Sequence, residues 1–341
     1  MRIALVTGGG DSSAINAAIR AVVHKCHAGG HECIGIKRGW RGLLRDEVEP
    51  LFIGSVAGIL QNSGTILGTS RTNIFNIENG LENVMVNLRK HGIEAIIVIG
   101  GEDTNSIASR LGEHGVKCVG IPQTIDNDLP GTDYSIGFDT AAAVAMDALD
   151  KLHTTAASHH RVMILEVMGR DAGWIALIAG IAGGADTIIV PEFPCAIEKI
   201  EERIERRHKM NKEFSIIVIS EGAKLLGMDE QFVQSQKKDE FGHVRLGGVG
   251  EWLAQEIENR TGDETRVTHL GHLQRGGVPT AFDRVLATRL GVFAVDMVVT
   301  GKFGQMACMR GNKIVAVPYE EALNGTKTID VELFELAKSF Y

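Results

Sequence analysis

Ile3-Ala4-Leu5-Val6-Thr7-Gly8-Gly9-Gly10-Asp11 is the stretch that decides the fold. Four consecutive apolar residues, Ile3 to Val6, read as a short strand. Gly8 to Asp11 then read as a tight turn. Helical spacing of Ile15, Ala18, Ile19 and Val22 predicts a helix over about 13–26, and 32–36 reads as a second strand. Strand, glycine turn, helix and strand in that order open a parallel α/β sheet.

The pattern recurs along the chain. Glu94 to Ile99 reads as a buried strand ended by Gly100-Gly101, with a helix over 104–114 and a strand over 117–121. A helix over 140–155, a strand over 161–167 and a helix from Ala172 come next. Strands at 188–190 and 214–220 flank a charged helix at 196–211, and 227–242 reads as a solvated loop. Helices are expected at 248–260, 281–300 and 330–340, with short strands near 306–317. No repeat and no Pro- or Ser-rich linker divides the chain. The expectation is two closely joined Rossmann-like, three-layer α/β domains with mostly parallel sheets. One takes 1–138 plus about 251–303, the other 139–250 plus about 304–341. The active site is expected in the cleft between them, at the carboxyl ends of strands.

Composition excludes several classes. Of 341 residues, 44% are hydrophobic and 23% charged, enough to build a core. The net charge of −8 provides no broad basic field, which argues against a nucleic-acid partner. Five scattered cysteines without a C-x-x-C motif fit a reducing, cytoplasmic setting better than a disulfide framework. The longest uncharged apolar stretch, Ala172 to Ala185, has 14 residues, short of the roughly 18 that suggest a membrane span. Met1 to Thr7 meets glycine too soon for a signal-peptide apolar region.

Five constellations could carry chemistry. Gly8-Gly9-Gly10-Asp11 lets backbone approach phosphate oxygens at a helix start. Gly100-Gly101-Glu102-Asp103-Thr104 repeats that geometry and adds carboxylates suited to Mg²⁺. In Gln123-Thr124-Ile125-Asp126-Asn127-Asp128, period-two spacing sets Thr124, Asp126 and Asp128 on one side, where one carboxylate can act as a base. Met168-Gly169-Arg170 ends a strand with a guanidinium able to stabilise a transferring phosphoryl group. Arg266, His272 and Arg275 gather cations around a glycine turn, as a sugar phosphate would require. Each could equally be an ordinary turn, cap or surface loop.

Taken in order, TGGGD (7–11), GTSR (68–71), GGEDT (100–104), TIDND (124–128), SHHRVMILEVMGRDAGW (158–174), SEGA (220–223) and GHLQRGG (271–277) resemble the phosphofructokinase family over nearly the whole chain. The resemblance implies phosphoryl transfer to the 1-hydroxyl of fructose 6-phosphate, with the first domain binding the donor and the second the sugar phosphate. It makes Asp126 the base, Arg170 the transition-state stabiliser, and Thr124 and Asp128 the residues that position the transferring phosphate and its metal. Glu102 would hold Mg²⁺. Gly10 and Arg71 would contact the donor, with Asp103 and Gln123 beside it. Met168, Gly169 and Glu221 would hold the sugar, and Arg161, Arg266, His272 and Arg275 its 6-phosphate. In this family the arginines matching Arg161 and Arg266 come from a neighbouring subunit, which implies a homodimer or homotetramer.

The donor is the open point. Asp103 stands where ATP-using members carry glycine, and its carboxylate would repel a nucleotide α-phosphate, as in members that use pyrophosphate. Those members usually carry Lys where this chain has Gln123. Ser12-Ser13-Ala14 and Ile74 depart from the pattern as well, through Ala14 for a glycine and Ile74 for a proline. Pyrophosphate is the favoured donor. An ATP-dependent 6-phosphofructokinase and a weakly active or inactive sugar-phosphate-binding regulatory subunit are the alternatives.

Overall fold

The computed structural model describes residues 1–226, 233–235 and 245–341. In chain order its strands are β1 (Arg2–Thr7), β2 (Glu32–Ile36), β3 (Val48–Leu51), β4 (Ala95–Gly100), β5 (Cys118–Pro122), β6 (Val162–Val167), β7 (Thr187–Ile189), β8 (Cys195–Ala196), β9 (Ser215–Ser220), β10 (Leu225–Leu226), β11 (Val233–Ser235), β12 (Arg245–Leu246), β13 (Thr265–His269), β14 (Gln305–Arg310) and β15 (Lys313–Pro318). They belong to two compact units.

The first unit combines Met1–Thr140 with Arg275–Thr326. Its seven strands run in the order β15-β14-β5-β4-β1-β2-β3. The outer pairs β2–β3 and β14–β15 are antiparallel and the rest parallel. β1 shows why its apolar run is continuous. Ile3 and Leu5 enter one core with Ile15 and Ile19 of the helix Ile15–Ala28 and Leu286 and Leu290 of the helix Ala281–Val299. Ala4 and Val6 enter the opposite core with Val84, Leu88, Ile107 and Leu111. A strand with helices on both faces is buried on both, and each such Ile or Leu contributes about 1.5–3 kcal/mol. The two helices on the first face pack so closely that a Cβ at Gly291 would stand 2.8 Å from the Ala18 carbonyl oxygen.

From β1 the chain builds outward through β2 and β3, then returns to place β4 on the other side. The carboxyl ends of β1 and β4 therefore flank the reversal of strand order, where open α/β sheets bind ligands.

The second unit takes the described residues between Ala141 and Gln274, together with Lys327–Tyr341. Its main sheet is β13-β6-β9-β7, parallel throughout. Ile164, Ile217 and Ile219 pack with Ile200 and Ile204 of the helix Ile197–Lys209 and Leu253 and Ile257 of the helix Val249–Thr261. β8 pairs with β10 and β11 with β12.

The first chain crossing falls at 140, close to the expected 138. The later two differ from the expected 251 and 304 and fall at 275 and 327. β13 and the helix before it belong with β6 through the register Thr265↔Val162 to His269↔Glu166, whereas β14 joins β5. Spacing alone does not say which sheet a short strand joins. Of the expected solvated loop at 227–242, only Val233–Ser235 is described, as a strand; the remainder lies outside the described residues. All five cysteines are free thiols. Among the described residues no helix is long and apolar enough to cross a membrane.

The helix Phe138–His159 starts on a buried carboxylate. Asp283, fully buried, accepts the Gly137 and Thr140 N–H groups at 3.0 and 2.9 Å and the Thr140 hydroxyl at 2.6 Å. Burial pushes the Asp283 carboxyl above its ordinary range, against the pull of those bonds. Asp283→Ala strips two buried N–H groups of their acceptor and is expected to cost about 2–3 kcal/mol. Urea unfolding checks this, and a loss well under 1 kcal/mol would mean the helix start is held by something else.

Candidate active site

Three turns of the first unit meet at the ends of β1, β4 and β5. The Gly8 N–H donates to the Ile99 carbonyl at 3.0 Å, joining the first two. Thr104 fills the space between them: a Cβ on Gly8 would stand 2.7 Å from Thr104 Cγ2, and one on Gly100 2.6 Å from Thr104 Cβ. Only glycine fits at either position. The β5 turn lies beside the second, since a Cβ on Gly101 would come within 3.6 Å of the Gln123 carbonyl oxygen and 3.9 Å of Thr124 Cβ. The loop before Arg71 closes on the same place, with Gly9 N–H donating to Ser70 O and Thr69 Oγ1 to Gly9 O.

The helix Glu102–Glu113 carries Glu102 and Asp103 in its first turn, where the helix dipole favours carboxylates. Glu102 is exposed and Asp103 half-buried. Asn105 fixes that turn, donating from Nδ2 to the carbonyls of Gly100 and Gly101 at 2.7 and 3.1 Å. The buried Trp40 holds it from the other side through Nε1 to Thr104 O. After β5, burial alternates as period two requires: Thr124, Asp126 and Asp128 are half-buried, Ile125 and Asn127 buried. Thr124 Oγ1 accepts the Asp126 N–H at 3.2 Å, and Ser135 Oγ donates to Thr124 O at 2.6 Å, so Asp126 sits on a braced loop.

Gln123 follows β5 and lies against the β1 turn. It is buried, and its Nε2 donates to Gly10 O at 3.1 Å and Ser12 Oγ at 2.9 Å. Its amide ties the β1 turn to the end of β5, which also accounts for Ser12. Ala14 is fully buried at φ 69°, ψ 2°, so a side chain occupies the left-handed conformation for which glycine is suited, at about 1–2 kcal/mol. Ile74 is a core residue beside Val84 and Leu88. Arg275 closes the short helical turn Gly271–Arg275. It belongs to the first unit, where its Nη1 donates to Asp11 O at 2.9 Å over Gly10, whose lack of a Cβ makes room for the guanidinium.

In the second unit, adjacent parallel strands bring two more motifs together. Val167 is in register with Ser220, so Met168-Gly169-Arg170 lies against Glu221-Gly222. Ser220 Oγ and Gly222 N–H both donate to Gly169 O. Gly169 has φ +132°, and a Cβ on Gly222 would stand 1.8 Å from Arg170 O. Gln274 Oε1 accepts the Met168 N–H at 3.2 Å, joining the turn that carries His272. His272 is exposed; Arg170 and Glu221 are half-buried.

Arg161 and Arg266 lie elsewhere in this unit. They flank the amino-terminal end of β6, where both pair with Glu264, Arg161 Nη2 at 2.7 Å. Arg161, then Arg266, holds the exposed Glu264 carboxyl below its usual range. Seven residues separate Arg161 from Met168, about 20 Å of extended chain. Of the expected 6-phosphate residues, His272 and Arg275 share the short helical turn Gly271–Arg275, whereas Arg161 and Arg266 lie at the other end of β6.

Mg²⁺ commonly binds through one or two carboxylates with substrate phosphates and water completing its shell. Among the described residues no group of three His, Cys, Asp or Glu side chains is close enough to hold a metal alone. The exposed Glu102 at a phosphate-competent turn fits that sparse mode, beside a loop bearing Asp126 and Asp128. Sequence reading missed Trp40, Asn105 and Asp283; the contacts of Trp40 and Asp283 reach across 64 and 146 positions and carry no local signature.

The phosphofructokinase family model matches residues 2–298. A pyrophosphate–fructose 6-phosphate 1-phosphotransferase from Amycolatopsis methanolica is 52% identical, covering all of both chains. An ATP-dependent 6-phosphofructokinase from Corynebacterium efficiens is 45% identical over all of this chain and 99% of its own. The crystal structure of pyrophosphate-dependent phosphofructokinase from Marinobacter aquaeolei matches with a TM-score of 0.83 at 25% identity, over 97% of this chain and 86% of that one. Full-length likeness and turns at matching strand ends lead to one conclusion: this chain belongs to the phosphofructokinase family.

Proposed function

We propose that the chain transfers a phosphoryl group from pyrophosphate to the 1-hydroxyl of fructose 6-phosphate, giving fructose 1,6-bisphosphate and phosphate. The observation that carries the choice of donor is Asp103, a carboxylate in the first turn of the helix that begins at the sheet's switch point. A nucleotide running past that turn meets a fixed negative charge; pyrophosphate ends before it.

Asp126 takes the proton from the sugar's 1-hydroxyl. Its loop is braced by Thr124 and Ser135, so the carboxylate is aimed before substrate arrives. Thr124 and Asp128 position the transferring phosphate, and Gly10 and Arg71 bind the donor. Arg170 offsets the charge that builds on the phosphoryl oxygens. Glu102 would hold Mg²⁺, which when bound neutralises donor charge. Gln123 positions the β1 turn instead of contributing charge, and Arg275 supports the same turn.

On the acceptor side Met168, Gly169 and Glu221 hold the sugar and His272 its 6-phosphate. Arg161 stands about 20 Å of extended chain from Met168, and Arg266 pairs with Met163 near that same far end of β6. They serve a neighbouring subunit's site, in a homodimer or homotetramer. The reverse reaction tests the proposal. Fructose 1,6-bisphosphate, inorganic phosphate and Mg²⁺ should yield pyrophosphate and fructose 6-phosphate. Failure to form pyrophosphate, with product formation from ATP intact, would overturn the donor assignment.

A further inference from the structure

His269, at the end of β13, lies between two carboxylates. Its Nδ1 is 3.2 Å from Glu166 Oε1 and its Nε2 3.1 Å from Glu251 Oε1. Among the described residues these are the charged groups that face the imidazole, Glu166 from β6 and Glu251 from the helix Val249–Thr261. A neutral imidazole has one N–H donor, so one ring nitrogen would present a lone pair to a carboxylate. Only the imidazolium donates to both.

Glu166 is built into the fold. It is buried, its carboxylate accepts the Gly250 N–H at 2.8 Å and the Gly248 N–H at 3.1 Å, and its carbonyl accepts the Leu270 N–H at 3.0 Å. It stands two residues before Met168, and His269 three before His272. The cross-strand pair Glu166↔His269 therefore underlies both segments assigned to the sugar phosphate.

We propose that His269 is a positioning residue of the acceptor site that works as its imidazolium: charged, it joins Glu166 to Glu251 and holds the 270–274 turn against the end of β6; neutral, it releases Glu251 and the turn loosens. This rests on the acceptor reading above. Burial alone would lower the pKa of His269, but the two carboxylates outweigh it and raise it above the ordinary value. The charged form therefore prevails below that raised pKa and is lost as pH rises through it.

The test measures KM for fructose 6-phosphate and kcat from about pH 6 to about pH 8.5 in the wild type, His269→Gln and Glu251→Gln. Dividing wild-type by His269→Gln values removes ionisations that both share, including the substrate phosphate. The KM ratio should rise by about three- to tenfold across the range, the loss of one charge-assisted bond, while the kcat ratio stays flat. Glu251→Gln should move the midpoint toward acid, because one of the carboxylates favouring the charged form is gone. A pH-independent KM ratio, or an unmoved midpoint, would overturn the role of His269. If fructose 6-phosphate fails to bind the wild type by calorimetry, the acceptor reading falls and this inference with it.

Discussion

Asp126→Asn is expected to lower kcat by about 10²–10⁴-fold while fructose 6-phosphate affinity stays within a few fold. Asn matches Asp in shape and keeps the backbone N–H that donates to Thr124 Oγ1, so the loop should be preserved. It cannot accept the hydroxyl proton. A simple fold defect would reduce binding and turnover together; loss of a base reduces turnover alone. Stopped-flow turnover with calorimetric binding separates the two. Turnover within tenfold of wild type would remove Asp126 as the base.

The second large effect concerns the donor. Asp103→Gly should shift the ratio of kcat/KM for pyrophosphate over ATP toward ATP by about 10²-fold. At about 4 Å and an effective dielectric near 20, one like-charge contact is worth about 4 kcal/mol, and solvent around a half-buried side chain reduces that. Weakening of the helix start by glycine, about 1 kcal/mol, acts on both donors and cancels in the ratio. Adding Gln123→Gly would also break the bonds to Gly10 and Ser12, mixing loop damage with donor selection. The single substitution is therefore the sharper experiment. An unchanged ratio would mean that another feature excludes the nucleotide.

The parallel sheet and its turns were legible in the sequence because each is a local pattern. The run at Ile3 to Val6 is continuous because helices cover both faces of β1, and glycines at 8 and 100 are required by Thr104 packing between them. Other features depended on partners distant in the chain. β13 joins β6 across a hundred positions, which moved the expected domain crossing from 251 to 275. Gln123 lacks the charge of a lysine, and its amide bonds the β1 turn across 113 positions. Ala14 departs from the family's glycine, and the structure adds a backbone cost at φ 69°. His269 could not be singled out, because its meaning lies in two carboxylates on different elements.

Pyrophosphate as donor is tested by initial rates of fructose 1,6-bisphosphate formation, measured side by side with Mg²⁺ and either pyrophosphate or ATP. Turnover is expected with pyrophosphate, with a kcat/KM for ATP lower by about 10²-fold or more. Equal or faster turnover with ATP would contradict that expectation.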